Sequence, residues 1–277
     1  VAFKAGDYGI LDNATFTAKD SGSEAVPVTY CAYGDGDVIF CNGVRLTEND
    51  FEPITDTEAS MFPSEAVKKI YKANLNGKIS EITSSTLLFS EKTVCFEARY
   101  PNKRNGRDHS FEGYTTTYNE LESILLQGPL PSMVESFSTV KGLKVTGFLR
   151  TGWLVDTFPV KSYDAENGIL AFDFDDPSAF GNGYQLSHFV LAFEGRMQDT
   201  VFFHNLPDFL DDTDEYWFDS ENKLLYIYEP QGNYSVSSNG TFMHINDGAD
   251  HISFVGLEFN TTTESAIFAD ADYLTFE

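Results

Sequence analysis

The chain has 277 residues, 43 acidic and 18 basic, for a formal charge of −25, and 42% of it is apolar. That is enough for one large β domain or two smaller units with a buried core. The negative surface argues against nucleic acid or an anionic membrane as a partner. Aromatic residues reach 15%, with 25 Phe and 14 Tyr, which argues against disorder and favours strands over helices.

Residues 1–46 read as strands and tight turns. Apolar or aromatic residues recur 22 apart: Tyr8 with Tyr30, Ile10 with Ala32, Phe16 with Val38, Ala18 with Phe40. The turn signals DSGS at 20–23 and GDGD at 34–37 separate the runs. Over 47–240 the recurrence is absent. The spacing there predicts a helix over 64–75, with Ser64 as its cap, Ala66, Val67, Ile70 and Tyr71 as its apolar face, and Asn76-Gly77 as its stop. A second short helix is expected at 119–126, and strands at 94–98, 143–148, 169–174, 189–193, 201–204 and 224–228.

From Thr241 the pattern returns, and it is sharper. Ile245 matches Ile267, Ala249 matches Ala271, Asp250 matches Asp272, Ile252 matches Leu274 and Phe254 matches Phe276, all at an offset of 22. A period of about this length with short alternating runs is what stacked coils of a parallel β-helix produce. The expected fold is mainly β: β-helix coils at 1–46 and 241–277, interrupted by an inserted β-rich domain at 47–240 with one or two short helices. Solenoids carry such insertions in loops on one face. The second copy is cut at Glu277, so the chain is expected to be a piece of a longer protein.

Cys31, Cys41 and Cys95 make no disulfide framework. Cys31 and Cys41 flank the GDGD run and could approach each other, although free buried thiols are the favoured state. No Cys/His spacing suggests zinc, and no metal ligands are assigned. Sequons at Asn13, Asn233, Asn239 and Asn260 permit glycosylation in a secretory pathway. No GxGxxG opening a helix, GxxxxGK[ST], GxSxG or HExxH occurs, which argues against nucleotide cofactors, elbow-type serine hydrolysis and zinc proteolysis.

Several segments taken together carry a family resemblance: DSGSEAVPVTYCAYGDGDVIFCNG at 20–43, FEARYPN at 96–102, NLPDFLDDTDEYWFDSENKLLYIYEP at 205–230 and HISFVGLEF at 251–259. In that order they resemble the N-terminal part of large right-handed parallel β-helix proteins, several of which act as glycoside hydrolases. The run from Leu210 to Pro230 is the most specific, with Leu210-Asp211, Glu215-Tyr216-Trp217-Phe218-Asp219, Leu225-Tyr226 and Pro230 supplying its parts. Asp214 stands where relatives usually have Gly. The resemblance implies a secreted or cell-surface protein that acts on a polysaccharide or oligosaccharide. It also implies that the catalytic carboxylates lie on later coils, so no catalytic residue is assigned here. A polysaccharide lyase and a non-catalytic carbohydrate-binding or surface module stay open as alternatives.

Candidate chemistry is sparse. Asp211, Asp212, Asp214, Glu215 and Asp219 could give oxygen ligands to Ca²⁺ or paired carboxylates, but an Asp-rich turn opening a hairpin is the favoured reading. Asp173, Asp175 and Asp176 read as a solvated strand end. Arg99 with Lys103, Arg104 and Arg107 forms the only positive cluster, read as a solvated loop with Arg99 paired to an acid. The substrate-binding candidates are Trp153, an aromatic platform after a glycine, Arg150, three residues earlier as a hydroxyl or carboxylate donor, and His251, at an outward coil position. Trp217 is assigned to packing.

Overall fold

The computed structural model describes residues 1–10, 13–91, 93–102, 115–120, 123–151, 154–173, 199–237 and 240–277. They are mainly β and fall into two compact units. The first comprises Val1–Asp50, Leu75–Cys95 and Gln231–Glu277; the second comprises Phe51–Asn74 and Phe96–Pro230.

The first unit is built on parallel pairing. Its long strand Val28–Asn42 pairs in parallel with Ala2–Ile10, and also with Ile252–Val255 and Leu257–Asn260. Thr275–Phe276 adds to Ile252–Val255, again in parallel. A second parallel set runs Ala14–Phe16, Met243–Ile245, Ile267–Ala269. In-register parallel strands put like side chains one above another. Tyr30, Phe254 and Phe276 hold successive register positions, with ring centroids 5.4 Å apart at each step. Tyr8, Phe40 and Phe259 form another ladder at 5.3 and 5.6 Å. Each such ring pair is worth about 0.5–1.5 kcal/mol beyond the area it buries. The rings of these ladders other than Phe276, with Val38, Met243, Ile245, Ala249 and Ile252, make the core of the unit.

The register corrects part of the repeat. Phe254 does face Phe276 at an offset of 22, but Ile245 faces Ala269 and Met243 faces Ile267. The turn between the two strands is two residues shorter in the second copy. A shift by two leaves every side chain on its own face, so the hydrophobic pattern tolerates it. At the N-terminus the expected matches do not pair. Tyr8 lies across from Phe40, Tyr30 across from Phe254 and Phe16 across from Ile245. Alternating aromatic strands look alike in several registers, and character alone cannot choose among them.

Val44–Leu46, Tyr234–Ser237 and Leu87–Ser90 complete this unit as an antiparallel sheet. Gly43 has φ of +115°, and a Cβ there would meet the Val236 carbonyl oxygen at 2.1 Å, so only glycine fits. The three cysteines are free thiols. Cys31 and Cys41 lie ten residues apart on one strand, out of reach of a bridge. The GDGD run does not turn the chain back; it is absorbed as a register shift within that strand.

The second unit is antiparallel except for one short parallel pairing. Its larger sheet runs Thr115–Glu120, Ser123–Leu126, Ile169–Phe172, Leu154–Asp164, Lys144–Thr151, Asp199–His204, Arg99–Tyr100. Its smaller sheet runs Phe51–Pro53, Ile70–Asn74, Leu224–Tyr228, Glu215–Asp219, Phe96–Glu97. Val145, Phe158, Val160, Leu170, Phe172, Val201 and Phe203 are among the residues of its core.

Neither expected helix forms. Only Val67–Lys69 takes a short 3-10 turn, and Ile70–Asn74 pairs with Leu224–Tyr228 and Phe51–Pro53. Residues 119–120 and 123–126 belong to two antiparallel strands. Sheet pairing overrides a modest helical preference in both places. The one α-helix among the described residues, Leu130–Glu135, follows Pro129. The strands expected at 143–148, 169–174, 201–204 and 224–228 are present with small shifts, and 94–98 shortens to Phe96–Glu97. Residues 189–193 lie outside the described residues.

Candidate functional site

Alternation along Lys144–Thr151 turns Val145 into the core and sends Lys144 and Thr146 to the opposite face. Pairing sets His204 across from both Lys144 and Arg99. Glu97, on a strand of the smaller sheet, completes the group. Its Oε1 accepts from Lys144 Nζ at 2.9 Å, and its Oε2 lies 2.6 Å from His204 Nδ1. His204 Nε2 is 2.9 Å from Thr146 Oγ1, which is 2.7 Å from Thr157 Oγ1.

Burial holds His204 below its ordinary pKa, so the neutral imidazole donates from Nδ1 to Glu97 and accepts at Nε2 from Thr146. Burial alone would raise the Glu97 pKa, but the Lys144 ammonium and His204 outweigh it and hold the carboxyl at about 2. An acid, an imidazole and a hydroxyl in line can activate a nucleophile. Here Thr146 and His204 are both buried. The relay therefore serves the sheet, satisfying polar groups that alternation turned away from the apolar core.

The acidic run at 211–219 is a hairpin-opening turn. Asp214 has φ of +65°, the left-handed region that glycine favours and Asp tolerates. This is the position where the resemblance has Gly. The buried Glu215 carboxyl accepts the backbone N–H groups of Asp211 and Asp212 at 3.4 Å each, and that of Arg99. Its burial, then the Asp211 and Asp212 charges, push it up to about 9. Asp211 accepts from Asn102 Nδ2 at 2.8 Å, and Asp219 caps Asn222. Among the described residues no group of three or more His, Cys, Asp or Glu side chains is placed to hold a metal ion. Arg99 is buried, its guanidinium 3.8 Å from the Phe202 ring centroid and its Nε donating to the Pro101 carbonyl. It is not on a solvated loop.

The first unit presents two aromatic pairs outside its core. His251 and Tyr273 stack with centroids 4.5 Å apart and planes 3° from parallel. Both have left-handed backbones, at φ of +55° and +58°, which cost an L-residue about 1–2 kcal/mol each. Register sets His244 across from Phe268, at 6.0 Å between centroids. Phe268 is 57% exposed and Tyr273 is 72% exposed.

Of the three binding candidates, His251 is thus half-buried beneath an exposed Tyr273 in the first unit. Arg150 lies on the strand Lys144–Thr151 of the second unit. Trp153 lies outside the described residues, as do Asp175, Asp176, Lys103, Arg104, Arg107, His109 and His188. Trp217 packs against Tyr226 and Phe62, at 5.5 and 6.3 Å. Sequence reading missed the Glu97–His204–Thr146 relay, whose members come from three strands far apart in the chain. The one local signal is the alternation in LKVTG at 143–147, which sends Lys144 and Thr146 to the same face. Phe268 was also missed as an outward ring, because aromatic content alone reads as packing.

The fold class is that of a mainly β protein, mostly parallel in one unit and almost wholly antiparallel in the other. A solved structure named glycoside hydrolase shares this fold, with a TM-score of 0.64 and 14% identity over 94% of this chain. The chain spans 43% of the length of that structure. No protein-family model matches the sequence, and neither does any curated protein.

Proposed function

We propose that the chain is the N-terminal portion of a secreted, carbohydrate-active protein built on a right-handed parallel β-helix, of the glycoside hydrolase type. The observation that carries this reading is the ladder Tyr30–Phe254–Phe276, which joins strands from either side of residues 47–240 in parallel register. Successive coils of an interrupted solenoid stack this way. The likeness to a structure named glycoside hydrolase supports the same reading. The second unit is then the insertion.

Glycoside hydrolysis uses two carboxylates about 5–9.5 Å apart on either side of an oxocarbenium-like transition state. Glu97 and Glu215 do not suit these roles: one is tied to Lys144 and His204, the other is sealed in a turn. On this reading the catalytic pair belongs to other coils, as the family resemblance implies. The alternative is a non-catalytic carbohydrate-binding or surface module, which would bind glycans without cleaving them.

The test is to express the whole reading frame that contains this chain and assay it on a polysaccharide panel. Release of reducing ends without unsaturated products is expected. Unsaturated uronate products would make it a lyase, and binding without turnover would make it a module. Neither binding nor turnover on any glycan would sink the carbohydrate reading.

A further inference from the structure

We draw no further inference here: the strongest candidate, the surface bulge at residues 33–37 in the long strand of the first unit, which carries the exposed Tyr33, Asp35 and Asp37, is one ring beside two carboxylates, and nothing among the described residues shows what covers it.

Discussion

Glu97→Ala lowers the stability of the second unit by about 3–5 kcal/mol at neutral pH, because it strands the Lys144 ammonium and the His204 N–H in a mostly buried cluster. Glu97→Gln should cost less, since its carbonyl oxygen can still accept from one of the two. Urea unfolding followed by tryptophan fluorescence measures both. The pH dependence carries a second signature. Glu97 titrates at about 2 in the fold against an ordinary 4.5, so the fold stabilises its ionised form. That contribution is whole above about pH 4.5 and disappears as the pH falls from there towards 2. His204 acts in the same sense. Its pKa is lowered by burial, so its contribution is whole above its ordinary 6.5 and fades as acid protonates it beside Lys144 and Arg99.

Glu58 shares the acid limb. Burial opposes its ionisation, but hydrogen bonds from Lys72, Thr55 and Tyr226 prevail and hold it at about 2. Glu97→Ala should therefore shrink the acid limb without removing it. An acid limb identical in wild type and variant would mean that the cluster contributes nothing to the linkage.

The parts of the fold legible in the sequence were those in which identical side chains stack. Phe254 and Phe276 share residue type and position because parallel register places one ring over the other. Tyr8 and Phe40 are also stacked, yet they lie 32 residues apart and were not matched, because the long strand Val28–Asn42 accommodates extra residues in a register shift. The predicted helix at 64–75 failed for a different reason. Its apolar spacing suits a helix locally, but Ile70–Asn74 lies between two strands that supply the hydrogen bonds a sheet needs. The hairpin at 215–228 was legible from its Asp-rich turn and from the resemblance over 210–230, with only its second strand read from the residue pattern. The buried relay was not. Nothing local to FEAR at 96–99 or FFH at 202–204 says that Glu97 and His204 meet. His251 lies 22 residues before Tyr273, the same offset as Phe254 and Phe276, and its ring stacks on Tyr273 accordingly.

Glu215→Gln should stabilise the second unit at alkaline pH, by about 2–4 kcal/mol near pH 8. Burial and the neighbouring Asp211 and Asp212 charges raise the Glu215 pKa from 4.5 to about 9, so the fold favours the protonated carboxyl. Its contribution is whole below about pH 4.5 and is lost progressively as the pH rises towards 9, opposite in sign to Glu97. Glutamine keeps an oxygen for the N–H groups of Asp211 and Asp212, and its amide can donate towards Asp211. Wild-type stability should thus decline on the alkaline side, and the variant should flatten that decline. Chemical denaturation at a series of pH values between about 5 and 9 reads the difference directly. A glutamine variant less stable than wild type throughout that range would mean that the carboxyl is ionised in the fold, held by its backbone donors against the acidic neighbours. The turn would then be a carboxylate-binding turn, and the raised value at Glu215 would have no consequence for stability.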